Sequence, residues 1–410
     1  MSLFSLIAEL WKNLSSQKLR TFLTLFGIMW GTATLILLLA FGFGFRDQVM
    51  LNMRGMGEEI TILFPSQTTK SYEGYGSGRH LTFREDDAWM LGNQVSGLKD
   101  VSPEFRRNAT LRYGGQRNSP SVGGVHTNYG ELRNIHPQEG GRWFNERDMS
   151  EKRRVIFIGD ELKEVLFDDK DAVGERVMVE GVPFTVIGVM EPKVQNSSYG
   201  GGQDKDRAFI PATTYATMFN TNQVANIIYL PDRNLDHDAI QDQVYAAMGS
   251  THMFDPEDRD AISLWDTGEF FSFMHYFFLG FNIFMGVVGF FTLAVGGIGV
   301  ANIMFVVVQE RMKEIGIRRS VGAKRGHIIA QFFTETLGIV AIGAAMGFLI
   351  SWLLIQALQN LPIQEFTGTP EFSSLIGLIA FAVLGLVGLA AGLMPAIRAS
   401  KLNIVDCLRA

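Results

Sequence analysis

A single cysteine in 410 residues leaves no disulfide available within the chain. Any folded part outside the cytosol must then be held by its own apolar core. That residue, Cys407, lies in the last stretch of the sequence. Catalytic signatures are missing as well. No G-x-x-x-x-G-K-[ST] nucleotide loop occurs, so these residues are not expected to hydrolyse ATP themselves. H-E-x-x-H, G-x-S-x-G and C-x-x-C are also absent. The seven histidines are scattered and suggest no zinc site. The acidic run HMFDPEDRDAI (252–262) carries Arg259 where a calcium loop counted from Asp255 needs its fifth ligand, and it lacks the sixth-position glycine. A solvated acidic loop is expected there.

Charge itself is missing, or nearly so, from four long stretches of a chain that is 47% hydrophobic. They cover residues 21–45, 276–308, 328–358 and 373–397, each above the roughly twenty residues that cross a hydrocarbon core. The second belongs to a longer uncharged span, Phe270 to Gln309, whose early aromatics read as stalk or interface. The first is too long for a secretory h-region and has no small-x-small site after it, so it reads as an anchor.

Basic residues orient these spans. Outside residues 46–275 there are twelve Lys and Arg, and all fall on one side of a four-span topology. The opposite short loop, 359–372, has two glutamates and no basic residue. The positive-inside rule makes both termini, the link 309–327 and the tail 398–410 cytoplasmic. Residues 46–275 are then extracytoplasmic, which predicts a multi-pass inner-membrane protein. That segment carries 24 Lys and Arg against 35 Asp and Glu, an acidic balance that argues against nucleic acid as a partner.

The fold class expected is a membrane protein with four transmembrane α-helices and a large extracytoplasmic α+β domain between helices 1 and 2. Within that domain, TFRE from Thr82 predicts a capped helix to about Gln94. VIFIG (155–159) predicts a buried strand leading into a short helix, DELKEVLF. RVMVEGVPFTVIGV (176–189) predicts a hairpin turning at Glu180 and Gly181. NLDHDAIQDQVYAAM (234–248) predicts a helix with Ile240, Val244 and Ala247 on one face. The Gly-rich stretches SYEGYGSGR and SSYGGGQ read as mobile surface.

At the cytoplasmic side, residues 1–20 have Leu3, Phe4, Ile7, Leu10, Trp11 and Leu14 at helical spacing, an amphipathic helix suited to the membrane lipid surface. Glu335 is the one acidic residue inside a span. It lies about ten residues past Arg325, near enough to the interface to pair with a basic residue of the link, so a structural ion pair is expected. Gly296, Gly297 and Gly299, Gly343 and Gly347, and Gly388 and Gly392 have the spacing of close helix packing, either within the bundle or at a homodimer seam.

The link carries the most specific pattern. VGGIGVANIMFVVVQERMKEIGIRRSVGAKR (295–325) resembles the signature of the macrolide-exporter (MacB/FtsX-like) type of ABC-transporter permease. QFFTE (331–335) and MPAIRASKLNIVDCLRA (394–410) resemble that family's third helix and C-terminal motif. GRWFNERD (141–148), RRVIFIGDELKEVLF (153–167) and VPFTVIGVMEP (182–192) resemble its periplasmic core domain. The resemblance implies that the link is a coupling helix docking on an ABC ATPase. Glu310, Arg311, Glu314 and Arg318 would make charged contacts, Ile315 and Ile317 would pack, and Gly316 and Gly322 would permit tight turns. It further implies a permease homodimer, a possible periplasmic adaptor, and ATP and Mg held by the ATPase, with no cofactor on this chain. The sequence begins directly at the surface helix, so the ATPase is expected as a separate subunit. Motion passed to the external domain would serve export of a drug, peptide or other amphipathic substrate. Lipoprotein release, or regulation of a cell-wall hydrolase or sensor kinase, are the alternatives that the same resemblance leaves open.

Overall fold

The computed structural model describes residues 18–57, 59–195, 198–199, 202–232, 234–360, 368, 370, 372–402 and 407. The amphipathic pattern in residues 3–14 and most of the loop 359–372 lie outside the described residues. In chain order the elements are α1 (Lys18–Arg54), β1 (Thr61–Pro65), β2 (Phe83–Arg84), α2 (Glu85–Gln94), β3 (Leu98–Asn108), β4 (Leu111–Tyr113), β5 (Gln116–Asn118) and β6 (Ser121–Val125). They continue with α3 (Tyr129–Leu132), α4 (Glu146–Ser150), β7 (Val155–Ile158), α5 (Asp160–Phe167), β8 (Arg176–Val179), β9 (Val182–Val189), β10 (Ala208–Pro211) and α6 (Ala212–Phe219). The last are β11 (Gln223–Val224), β12 (Asn226–Pro231), α7 (His237–His252), β13 (Ile262–Asp266), α8 (Thr267–Glu310), α9 (Met312–Ser320), α10 (Arg325–Gln359) and α11 (Ser374–Ser400). Two compact units divide the chain: Met1–Val49 with His275–Ala410, and Met50–Met274.

The inserted unit is α+β. Its main sheet runs β13-β1-β12-β3-β6-β10-β7-β9-β8-β4-β5, eleven strands among the described residues. Side chains alternate between two apolar clusters on its two faces, as the pleat requires. Leu63, Ile156, Ile158, Ile210 and Ile227 enter one cluster, while Ile62, Phe157, Phe209 and Ile228 enter the other. The predicted hairpin is present, with β8 against β9 and Glu180 and Gly181 both at positive φ, the mirror-image turn that suits strand twist. VIFI is buried throughout and feeds α5 as expected. α7 begins at His237, because the Asp236 carboxylate accepts from the Asp238 amide at 3.1 Å, and it runs on to His252.

Three expectations need correction. Thr82 does not start the helix: Phe83–Arg84 pairs with Gln223–Val224, and α2 opens after Arg84, whose amide donates to Asp87 Oδ2 at 2.7 Å. The acidic loop is not merely solvated. Asp258 is buried and accepts from the amides of Thr69 and Lys70 at 2.7 and 2.9 Å, fastening one loop to another. Nor is SSYGGGQ plain surface, since it contributes buried Tyr199 to a core ion cluster.

That cluster pairs fully buried Arg207 with Glu104 and, at 3.4 Å, with Asp204. Arg133 and Lys193 each donate to Asp204 Oδ2 at 2.8 Å. The Tyr199 hydroxyl donates to Glu104 at 3.0 Å, and its ring lies 4.3 Å from the Arg133 guanidinium carbon. Burial pushes the Glu104 and Asp204 carboxyls up. The guanidiniums of Arg207 and Arg133 outweigh it and hold both below the usual carboxylate range. Such a network gives little net stability, but removing one member strands a buried charge.

Among the described residues four helices are long and apolar enough to cross a membrane, α1, α8, α10 and α11; they belong to the other unit, and α1 ends and α8 begins in the inserted one. Glycine decides where they touch. A Cβ on Gly296 would meet the Gly27 carbonyl oxygen at 2.8 Å, so α1 and α8 cross backbone to backbone. Gly343 and Gly347 admit α1 in the same way, at Ile28 and at the Met29 carbonyl. Gly297 seats Val387, and Gly392 lies under Thr336. Gly388 makes only ordinary contact with Val340, and Gly299 faces open space.

Candidate functional site

The link between α8 and α10 is itself a helix. α8 ends at Glu310, Arg311 leaves helical geometry, and α9 restarts at Met312 while the Ile315 amide still donates to the Arg311 carbonyl at 3.0 Å. α9 stops at a Schellman turn. The Ala323 amide reaches back to Arg318 O at 3.0 Å and Gly322 N to Arg319 O at 3.2 Å, with Gly322 at φ +99°. A side chain at that position would be strained, so Gly322 does set the turn.

A chain of alternating charge fixes α9 to α10. Arg311 Nη1 lies 3.2 Å from both Glu335 oxygens, and Gln331 donates to Glu335 at 3.4 Å. Arg318 donates to Gln331 and pairs with Glu314 at 2.6 Å, one turn back on its own helix. Two cations thus meet two carboxylates, which offsets the cost of holding Glu335 at 6% exposure in a span.

This geometry changes the roles expected from the sequence. Arg311 points at Glu335 rather than outward, and Glu314 and Arg318 are spent largely on each other and on Gln331. Ile315 is 3% exposed and packs with Val308, Ile328, Phe332, Ala396 and Ala399, so it is unable to contact another protein. Gly316 makes no turn; it sits inside α9 beneath Cys407, whose Cβ would lie 2.7 Å from an added Cβ. Ile317 is different, at 51% exposed, with Val321 at 83%. Lys313, Ser320 and Lys324 are exposed beside them, as is Glu310 at the end of α8. Residues 313, 317, 320 and 321 recur at three and four, so the exposed face of α9 sets Ile317 and Val321 beside Lys313, and exposed Lys324 follows after the turn. Sequence reading missed Arg319, whose Nη1 donates to the carbonyls of Ser400 at 3.1 Å and Leu402 at 2.6 Å. Nothing in the link's own residues announces that partner.

Comparison with known proteins gives two consecutive domain matches. Residues 21–247 match the MacB-like periplasmic core domain and residues 286–404 the FtsX-like permease C-terminal domain. The chain is 29% identical over 402 residues to the macrolide export ATP-binding/permease protein MacB of Bdellovibrio bacteriovorus, and 31% identical over 403 residues to that of Neisseria gonorrhoeae. These alignments cover 97% and 96% of this chain but 60% and 59% of those proteins, so the chain spans about 60% of the length of its curated relatives. The crystal structure of the periplasmic region of MacB from Actinobacillus actinomycetemcomitans aligns at 17% identity and TM-score 0.44, covering 55% of this chain and 97% of that one. The core-domain match takes in more than half of the sequence and includes the first apolar helix, and the other three apolar helices follow it in the chain. The chain therefore belongs to the MacB/FtsX-type permeases of ABC transporters, multi-pass inner-membrane proteins with a MacB-like core domain inserted between the first and second spans.

Proposed function

We propose that an ABC ATPase docks on the exposed face of α9 and that its cycle drives the extracytoplasmic domain of this permease. The observation that carries this reading is the division of labour in α9. Arg311 at its N-cap and Arg318 within it are tied to α10, while Lys313, Ile317 and the C-cap Val321 face outward. A helix fixed to the bundle on one side and free on the other can pass force from a partner to the spans.

Residues 309–327 and both ends of the chain lie in the cytoplasm on this reading, with 46–275 outside. ATP and Mg are held by the ATPase, and two permease copies assemble with it. α8 has 44 residues where about twenty cover a hydrocarbon core, and it begins directly after β13, so a shift at Glu310 has a continuous helix to follow toward the external domain. The substrate proposed is an amphipathic molecule, a drug or peptide, taken from outside the membrane, with an adaptor protein as a further partner of the core domain. The relatives' name, macrolide export, supports that class.

The test is ATP hydrolysis carried by the tagged chain purified in mild detergent. Wild type is expected to bring vanadate-sensitive activity, and the Ile317→Asp, Val321→Asp pair to lose most of it while inserting normally. Equal activity in both preparations, or none with wild type, overturns the docking.

A further inference from the structure

We propose that the end of α11, with Leu402 and Cys407 beyond it, is the positioning partner of α9, and that Arg319 is the residue that holds the two together. The contacts are geometric and independent of any ATPase; what they mean for function rests on reading α9 as the docking helix.

Three separate observations converge on one face of α9. Arg319 Nη1 donates to both the Ser400 and the Leu402 carbonyl, at the end of α11, where a helix leaves carbonyls without an intrahelical donor. A cation there also complements the negative end of the helix dipole. Ile315, one turn earlier, shares an apolar cluster with Ala396, Ala399 and Leu402. Gly316 leaves just enough room for Cys407, which is 2% exposed although it follows α11 by seven residues. Residues 316 and 319 lie on the α11 side of the helix, Ile315 lies between them and the stripe of 311 and 318 that faces α10 and packs with both neighbours, and 313, 317 and 321 face outward.

α9 is thus held on two sides. The Arg311 network alone fastens it along one line, about which a helix pushed on its free face would roll. The second line, through Arg319, turns a push into displacement of the spans instead of rotation in place. Arg319 is a positioning residue: it touches no partner on this reading, but it sets the direction in which Ile317 and Val321 point.

The chain provides its own reporter, because Cys407 is its only cysteine. The experiment measures the rate of N-ethylmaleimide reaction at Cys407 in native membranes holding the full chain. Wild type should react slowly compared with the same chain unfolded in SDS. Arg319→Ala should raise the rate about tenfold, since the charged donor and both of its bonds are lost. Arg319→Lys should fall between, because the ammonium keeps the positive charge and the donors at the end of α11 but sits on a side chain of different length and shape. Gly316→Ala, which keeps α9 helical, should raise it from the other side by displacing the thiol. The Ile317→Asp, Val321→Asp pair should leave it unchanged. A wild-type rate in both Arg319→Ala and Gly316→Ala overturns the proposal, as does a wild-type thiol as reactive as in SDS. The second readout is the ATP hydrolysis that purifies with the chain, expected to drop in Arg319→Ala and recover in Arg319→Lys. If the thiol responds as stated and no ATPase accompanies any variant, the brace stands and the docking reading falls.

Discussion

Lys193 keeps its proton where burial disfavours it. Desolvation, partly offset by Asp204, depresses its ammonium from 10.5 to about 8. The unfolded chain releases that proton only near 10.5, so between about 8 and 10.5 the folded state binds fewer protons and stability rises with pH. Below 8 the charged lysine costs the fold about 3 kcal/mol relative to the neutral one. Thermal unfolding of the full chain in detergent, followed by tryptophan fluorescence, should therefore show a stability increment from pH 8 to 10 that Lys193→Met abolishes. Should wild type and variant have parallel pH profiles, Lys193 is not the titrating group. The sequence hints at such a cluster only through charges set against buried strands, Glu104 within β3 and Arg207 immediately before β10. Which charges meet is decided by strands 103 residues apart in the chain, and Tyr199 enters from a stretch whose glycines suggest only surface.

Among the elements, α9 is where residue pattern and packing diverge most. Its existence and its stop at Gly322 are legible from the link motif. Its rotation is not: Ile315 and Ile317 read alike until α10 and α11 show which face they cover. The Arg311–Glu335 pair is the fastening that fixes that rotation on the α10 side. Removing either partner takes the main counter-ion from a charge at low exposure, at a cost of about 3–5 kcal/mol, whereas replacing both with apolar residues of similar volume is close to neutral. A double-mutant cycle on thermal stability should show Arg311→Met and Glu335→Leu each destabilising the chain and the combined variant recovering most of the loss. Additive losses would mean that the two side chains act separately and that α9 is fastened elsewhere.

At the scale of the molecule, the same link residues that build α9 also set the topology. Six of the twelve Lys and Arg outside residues 46–275 fall between Arg311 and Arg325, and the remainder sit at the two ends of the chain. Three of the six are arginines whose side chains are bonded to their own chain, yet each still resists transfer through lipid while the spans insert. Packing and orientation therefore make no competing demands on them. Residues 46–275 carry 24 basic against 35 acidic residues, and a segment of that length crosses largely regardless of its charge. The expected topology places residues 46–275 outside the cell membrane and α9 inside. On a Cys407→Ser background, a membrane-impermeant maleimide added to spheroplasts should label Ser77→Cys, in the exposed loop before Arg79, and should leave Lys324→Cys unlabelled until the membrane is opened. Labelling of Lys324→Cys in sealed spheroplasts would invert the topology, and an ATPase confined to the cytoplasm would then be unable to reach the face formed by Lys313, Ile317 and Val321.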